Sequence, residues 1–228
     1  MNVGLNIAAA GMLAEQVRQD QLSNDLANAS TPGYKPDTSV QSSFGALLLA
    51  NTATGQQIGS IQTGTDISKI VTDMTPAPLQ QTGQPLDFAI AGDGFFAVKT
   101  PQGIRYTRDG QFSSSAQHTL VDANGDEVLG QSGAPIQVSA TGTVTASALG
   151  VFNVTGAQKQ GENLFTGKAA GRGTGSVEQG ALEGSGVNAI QTMTEMISSL
   201  QSYQSGQQAI QSIAQTLQLS STDVGAVP

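Results

Sequence analysis

The sequence predicts a mixed fold, with α-helical termini around a central, mainly antiparallel all-β domain. Three observations predict it. Apolar residues recur at alternating steps of three and four near both ends of the chain. Between the ends, short runs of branched and aromatic residues are separated by glycine-rich turns. Ser30-Thr31-Pro32-Gly33 ends the first helical pattern well before the first strand-like run.

Residues 1–35 read as an N-terminal helix and turn. Leu5, Ala9, Met12, Gln16, Gln19, Ser23 and Leu26 fall at alternating steps of four and three, and Val3, Ile7, Ala10, Ala14 and Val17 lie beside them. Pro32 lacks a donor and Gly33 accepts left-handed angles, so the helix stops there. Residues 36–69, rich in Gly, Thr, Ser and Gln without clear period, read as an extended linker.

Residues 70–154 read as the β-domain. Strand-like pieces are expected at 86–90, 95–99, 104–107, 119–121 and 128–129, and more faintly at 136–138, 144–146 and 151–154. Gly92-Asp93-Gly94, Pro101-Gln102-Gly103, Asp109-Gly110 and Asn124-Gly125 supply the positive φ that tight hairpins need. Short strands at this spacing favour a compact antiparallel module.

Residues 155–186 read as a Gly-rich connector, and 221–228 as a tail. The segment between them, 187–220, reads as a coiled-coil helix. Ala189, Met193, Met196, Leu200, Tyr203, Gln207, Ile210, Ala214 and Leu217 keep a 4-3 alternation without a slip, with Ile190 and Ile197 alongside. The stripe fits a helix packed along another helix; an amphipathic helix lying on its own domain's core has the same period. Gly206 and many Ser, Thr and Gln residues weaken intrinsic helicity, so both ends are expected to need a partner.

Composition narrows the function classes. Of 228 residues only 11% are charged, against about 25% in an average domain. That surface carries little self-repulsion and suits packing against copies of itself. The net charge is −8 and the nine Lys plus Arg are scattered singly, so no basic patch faces nucleic acid or an anionic membrane. No run reaches about 18 consecutive apolar residues, which speaks against direct lipid insertion. With no cysteine, disulfides and thiolate chemistry are excluded. The apolar start MNVGLNIAAAGMLAEQ lacks the basic opening of a cleaved secretory signal.

No catalytic constellation stands out, and no cofactor or metal is expected. His118 is the sole histidine and sits in a polar stretch suited to a turn. Asp122, Asn124 and Asp126 have the first spacings of a calcium loop, but Glu127 and Gly133 stand where that loop needs Gly and Glu. Gly171, Gly173 and Gly175 suggest a phosphate loop without the strand and helix it requires. Asp87 and Asp93 form no evident acid–base pair.

Three stretches together resemble the flagellar basal-body rod family, the axial rod and hook proteins. The first is AAAGMLAEQVRQDQLSNDLANASTPGYK, whose matching positions are Asn24, Leu26, Ala27, Asn28, Thr31, Gly33, Tyr34 and Lys35. The second is PLQQTGQPLDFAIAGDGFFAV, with Gly92, Gly94, Phe95 and Phe96, followed by RYTRDGQFS. The third is VEQGALEGSGVNAIQTMTEMISSLQSYQSGQQAIQ, which departs from the family in Ala181, where an aromatic is common, and in Gly184 and Gly186.

The resemblance implies a structural, non-enzymatic subunit of the rod. Its terminal helices would pair as coiled coil in an inner tubular layer, with the β-domain outward. Its partners would be copies of itself, other rod and hook proteins, and the flagellar type III export machinery. It would reside in the basal body, exported without a cleaved signal, transmit torque and leave a channel for later subunits. Candidate interface residues are Leu5, Met12, Leu26, Met193, Met196, Leu200, Tyr203, Ile210 and Leu217. A hook or hook-junction protein of the same family is the alternative. More distant rivals are a secreted β-domain adhesin and a glycan-acting enzyme.

Overall fold

A computed structural model describes residues 3–43, 46–50, 57–62, 65–139, 141–161 and 163–224, with side chains described over 4–42, 67–139, 141–161 and 163–219. The fold has helices at both ends and a central, mostly antiparallel β-domain. The chain divides into two compact units. One, the helical unit, holds residues 1–26, 37–71 and 189–228; the other, the β-unit, holds 27–36 and 72–188.

The helical unit contains α1 (Val3–Ala27), β1 (Asp37–Ser43), β2 (Ala46–Ala50), β3 (Gln57–Gln62), β4 (Thr65–Thr72) and α2 (Ala189–Val224). Strand β1 pairs with β4, and β2 with β3. Among its described residues, the segment 36–69 read from sequence as an extended linker is therefore largely paired backbone. Composition concealed the pairing: β1 is polar but for Val40 and β2 is apolar throughout, so neither shows an alternation of apolar and polar residues.

The β-unit contains β5 (Leu79–Gln81), β6 (Phe88–Ala91), β7 (Phe96–Thr100), β8 (Gly103–Thr107), β9 (Ser113–Ser114), β10 (Leu120–Val121) and β11 (Glu127–Leu129). It continues with β12 (Phe152–Lys159), β13 (Leu164–Arg172), β14 (Ser176–Gln179) and β15 (Ala181–Glu183). A seven-stranded sheet runs in the order β12-β13-β8-β7-β11-β10-β9, while β14 pairs with β6 and β15 with β5. Every described pairing among these strands is antiparallel.

Alternation along β7 explains why this sheet has no solvent-facing centre. Phe96 and Val98 enter one apolar cluster with Phe88, Phe112, Leu120 and Val128. Phe95 and Ala97, one step out of phase, enter a second with Tyr106, Leu129 and Phe165. The Phe96 and Phe112 rings meet edge to face with centroids 5.3 Å apart, a geometry that aromatic quadrupoles favour. Glycine is required at Gly110, because a Cβ there would run into the Phe88 carbonyl oxygen.

The stretch 155–186, read from sequence as a connector, carries most of β12 and all of β13, β14 and β15. The β12–β13 pairing shifts register between Phe152 and Val154 and again between Thr155 and Gln158. Those irregularities erase the period of two. The faint pieces at 136–138 and 144–146 are not ladder strands. Thr119–Gln137 and Leu129–Pro135 form isolated bridges, and Ala146–Ala148 is a 3-10 turn.

Candidate functional site: the helix pair and its roots

Helix α1 runs 25 residues and α2 runs 36. Contacts between them run in opposite order along the two helices. A Cβ on Gly4 would meet Ile213 Cδ1 at 3.6 Å, and one on Gly206 would meet Met12 Cγ at 2.9 Å. The Ser199 hydroxyl donates to Glu15 Oε2 at 2.6 Å. Arg18 Nη2 lies 3.7 Å from Glu195 Oε2. The helices are antiparallel.

Burial on α2 falls on Ala189, Thr192, Met196, Ser199, Tyr203, Gly206, Ile210 and Ile213, with half-buried Glu195 beside them. These eight follow the same 4-3 alternation as the row read from sequence and share Ala189, Met196, Tyr203 and Ile210 with it. The remaining places differ. Thr192, Ser199 and Gly206, spaced by seven, are small enough to let the backbones approach. Sequence reading passed over them because hydrophobic periodicity weighs size and apolarity, and these three places of the seam have neither.

A second set of large apolar side chains on α2 lies away from this seam. Ile190, Met193, Ile197 and Leu200 are 45 to 79% exposed. At 100° per residue they centre about 120° round the helix from the seam. Leu217 and Leu219 are also exposed, as are Leu13 and Val17 on α1. Leu5, Met12 and Leu26 are half-buried. Of the nine candidate interface residues, the structure thus places Met12, Met196, Tyr203 and Ile210 at or beside the intrachain seam, and Met193, Leu200 and Leu217 in the open.

The motif after α1 forms a tight root. Asn24 and Ala27 are exposed, whereas Asn28, Gly33, Tyr34 and Lys35 are buried. The Thr31 hydroxyl donates to Asn28 Oδ1 at 3.1 Å, and Thr31 N donates to Asn28 O at the same distance. Gly33 has φ 67°, and a Cβ there would run into the Arg108 carbonyl carbon. The Tyr34 ring is covered by Lys159 Nζ, 3.9 Å from its centroid. In the second motif Gly92 and Gly94 have φ of 102° and 137°, and Phe95 exchanges backbone bonds of 2.9 Å with Phe152.

The residues weighed for chemistry take structural places. His118 is exposed at φ 59° in the turn before β10. Asp122 Oδ1 accepts the N–H groups of Asn124 and Asp126 at 2.9 and 2.8 Å, which shapes the β10–β11 hairpin. Gly173 and Gly175 donate to the carbonyls of Val151 and Asp93. Asp93 is exposed, and buried Asp87 accepts the Thr82 hydroxyl at 2.6 Å.

Sequence comparison matches three stretches of the chain to flagellar families. Residues 5–35 match the family described as flagella basal body rod protein. Residues 89–154 match the flagellar hook protein FlgE/F/G D1 domain, and 178–222 the flagellar basal body rod FlgEFG protein C-terminal region. The chain is 30% identical to the flagellar basal-body rod protein FlgG of Bacillus subtilis over 248 residues, covering 92% of this chain and 94% of that protein. It is 28% identical to FlgG of Buchnera aphidicola, covering 93% and 96%. It is 30% identical to the rod protein FlgF of Rhizobium meliloti, covering 86% and 87%.

Proposed function

The chain belongs to the flagellar basal-body rod protein family, and from that membership we propose that it stacks into a helical tube through its terminal helices. It is a structural subunit of the flagellar axis, and its place is the basal body. The FlgG and FlgF relatives favour rod over hook. In this reading copies of the chain pack with one another and with neighbouring rod and hook proteins. The tube carries torque, and its channel passes later subunits. The flagellar type III machinery exports the subunit. Among the described residues no helix is long and apolar enough to cross a membrane.

The observation that carries the proposal is the second face of α2. A row of Ile190, Met193, Ile197 and Leu200 lies open while the seam toward α1 uses Thr192, Ser199 and Gly206. Of the described residues of α2 only Thr192 and Ser199 are fully buried, Met196, Tyr203, Ile210 and Ile213 are half-buried, and the open row is uncovered, so the helix pair of one subunit is marginal by itself. Neighbouring copies covering the open row supply the missing burial, and ordering of the helices is coupled to assembly.

The test is Leu200→Asp, followed by sedimentation, electron microscopy and far-UV circular dichroism. Wild type is expected to form tubes and to gain helix on doing so. The variant would put a charge into a dry interface and is expected to form none, with the β-domain folded as before. Normal tubes from the variant, or equal helix content in wild-type subunit and polymer, would sink the reading.

A further inference from the structure

The three matched stretches meet at one buried ion cluster inside the β-unit. Lys35, Arg108 and Glu183 come one from each of them. Their side chains are between 0 and 3% exposed. Lys35 Nζ donates to Glu183 Oε1 at 2.6 Å and to the Thr75 carbonyl at 2.7 Å. Ala77 N donates to the same Oε1 at 2.8 Å, and Arg108 Nη1 to Oε2 at 3.1 Å. Arg108 also lies over the Phe95 ring, 5.2 Å from its centroid, which ties the cluster to the apolar core.

The chain passes between the two units at four places, 26/27, 36/37, 71/72 and 188/189. Each passage is bonded at or beside this cluster. Next to the first, Asn28 O accepts the Ser185 hydroxyl at 2.9 Å. Beside the second, Gly33 N donates to Glu183 O and Pro36 O accepts Asp73 N, both at 2.9 Å. Asp73, Thr75 and Ala77 come just after the third. Before the fourth, Gly186 N donates to Tyr34 O at 2.9 Å.

We propose that the Lys35–Glu183–Arg108 cluster is the anchor that pins all four passages to the β-domain core. The roots of α1 and α2 then leave the β-unit from one fixed point even while the helices beyond are unassembled. One carboxylate faces two cations, so the three residues are not equivalent. Removing Glu183 strands two buried positive charges, whereas removing Lys35 leaves the Arg108–Glu183 pair intact. The consequence for tube building rests on the assembly reading; the anchor itself does not.

Hydrogen exchange by mass spectrometry on the full chain, dilute and unassembled, tests it. Glu183→Gln is expected to speed exchange at least tenfold in 28–36, 73–77 and 180–186, with Phe96–Val98 and Leu120–Val121 unchanged. Lys35→Met is expected to speed the same segments by a smaller factor, and it decides the matter alone if Glu183→Gln does not fold. Unchanged exchange at those segments overturns the anchor. So does an even rise across the whole β-unit, which would make the cluster ordinary core. Tube formation plays no part in this readout, so failure of the anchor and failure of the assembly reading are seen separately.

Discussion

Asp109 shows how much of this chain's chemistry is structural. Burial is the largest influence on its carboxyl and pushes it above the ordinary value of 3.8, against the Gln111 N–H and the Asn163 amide, which pull it down. The folded chain therefore holds this proton more tightly than the unfolded one. Its contribution is fully present below the ordinary value and is lost as pH rises through the folded value. Asp109→Asn keeps an acceptor for Gln111 N, 2.9 Å from Oδ1 in the wild type, and removes the charge. Thermal melts between about pH 4 and about pH 7 should show the variant gaining on wild type as pH rises. A difference that stays flat with pH would refute this. Nothing in RYTRDGQFS signals it, because the burial comes from the fold around the turn.

At the scale of elements, adjacent residues of α2 do opposite jobs. Ser199 faces Glu15 across the intrachain seam, and Leu200 next to it faces outward. Ser199→Leu should overpack the seam and cost the free subunit about 1–3 kcal/mol, seen as lost helix at low concentration and a lowered melt. Leu200→Asp should leave that helix content alone. A Ser199→Leu subunit as helical as wild type would show that the seam is assigned to the wrong side of the helix.

The same helix shows what sequence could and could not disclose. The 4-3 period disclosed a helix with one packed side and half of the buried row, Ala189, Met196, Tyr203 and Ile210. It could not separate an inner row from an outer one, since Thr192, Ser199 and Gly206 register as breaks in apolarity. In the β-domain, Phe95–Lys99 and Ile104–Thr107 were legible because their turns carry glycine at Gly103 and Gly94. Strands β1 to β4 and β13 to β15 were not, because mostly polar strands, a uniformly apolar β2 and register shifts leave no alternation. The buried cluster was beyond reach. Lys35 and Glu183 are separated by 148 positions, and only the fold brings them together.

On the scale of the whole molecule, labour is divided between the two units. A β-sheet with an apolar cluster on each side of its central strand supplies one core, and the terminal helices form an antiparallel pair that leaves Ile190, Met193, Ile197 and Leu200 uncovered. An exposed apolar row of this kind marks an interaction surface. A weakly charged surface lets copies come close without strong repulsion. The chain has no cysteine, so one thiol can be placed where the claim is sharpest. Ile197→Cys sits in the middle of the open row, and its rate of alkylation can be followed in free subunit and in assembled tube. Rapid labelling is expected in the subunit, with protection of about a hundredfold or more in the tube. Equal rates in both states would contradict burial of this row between copies.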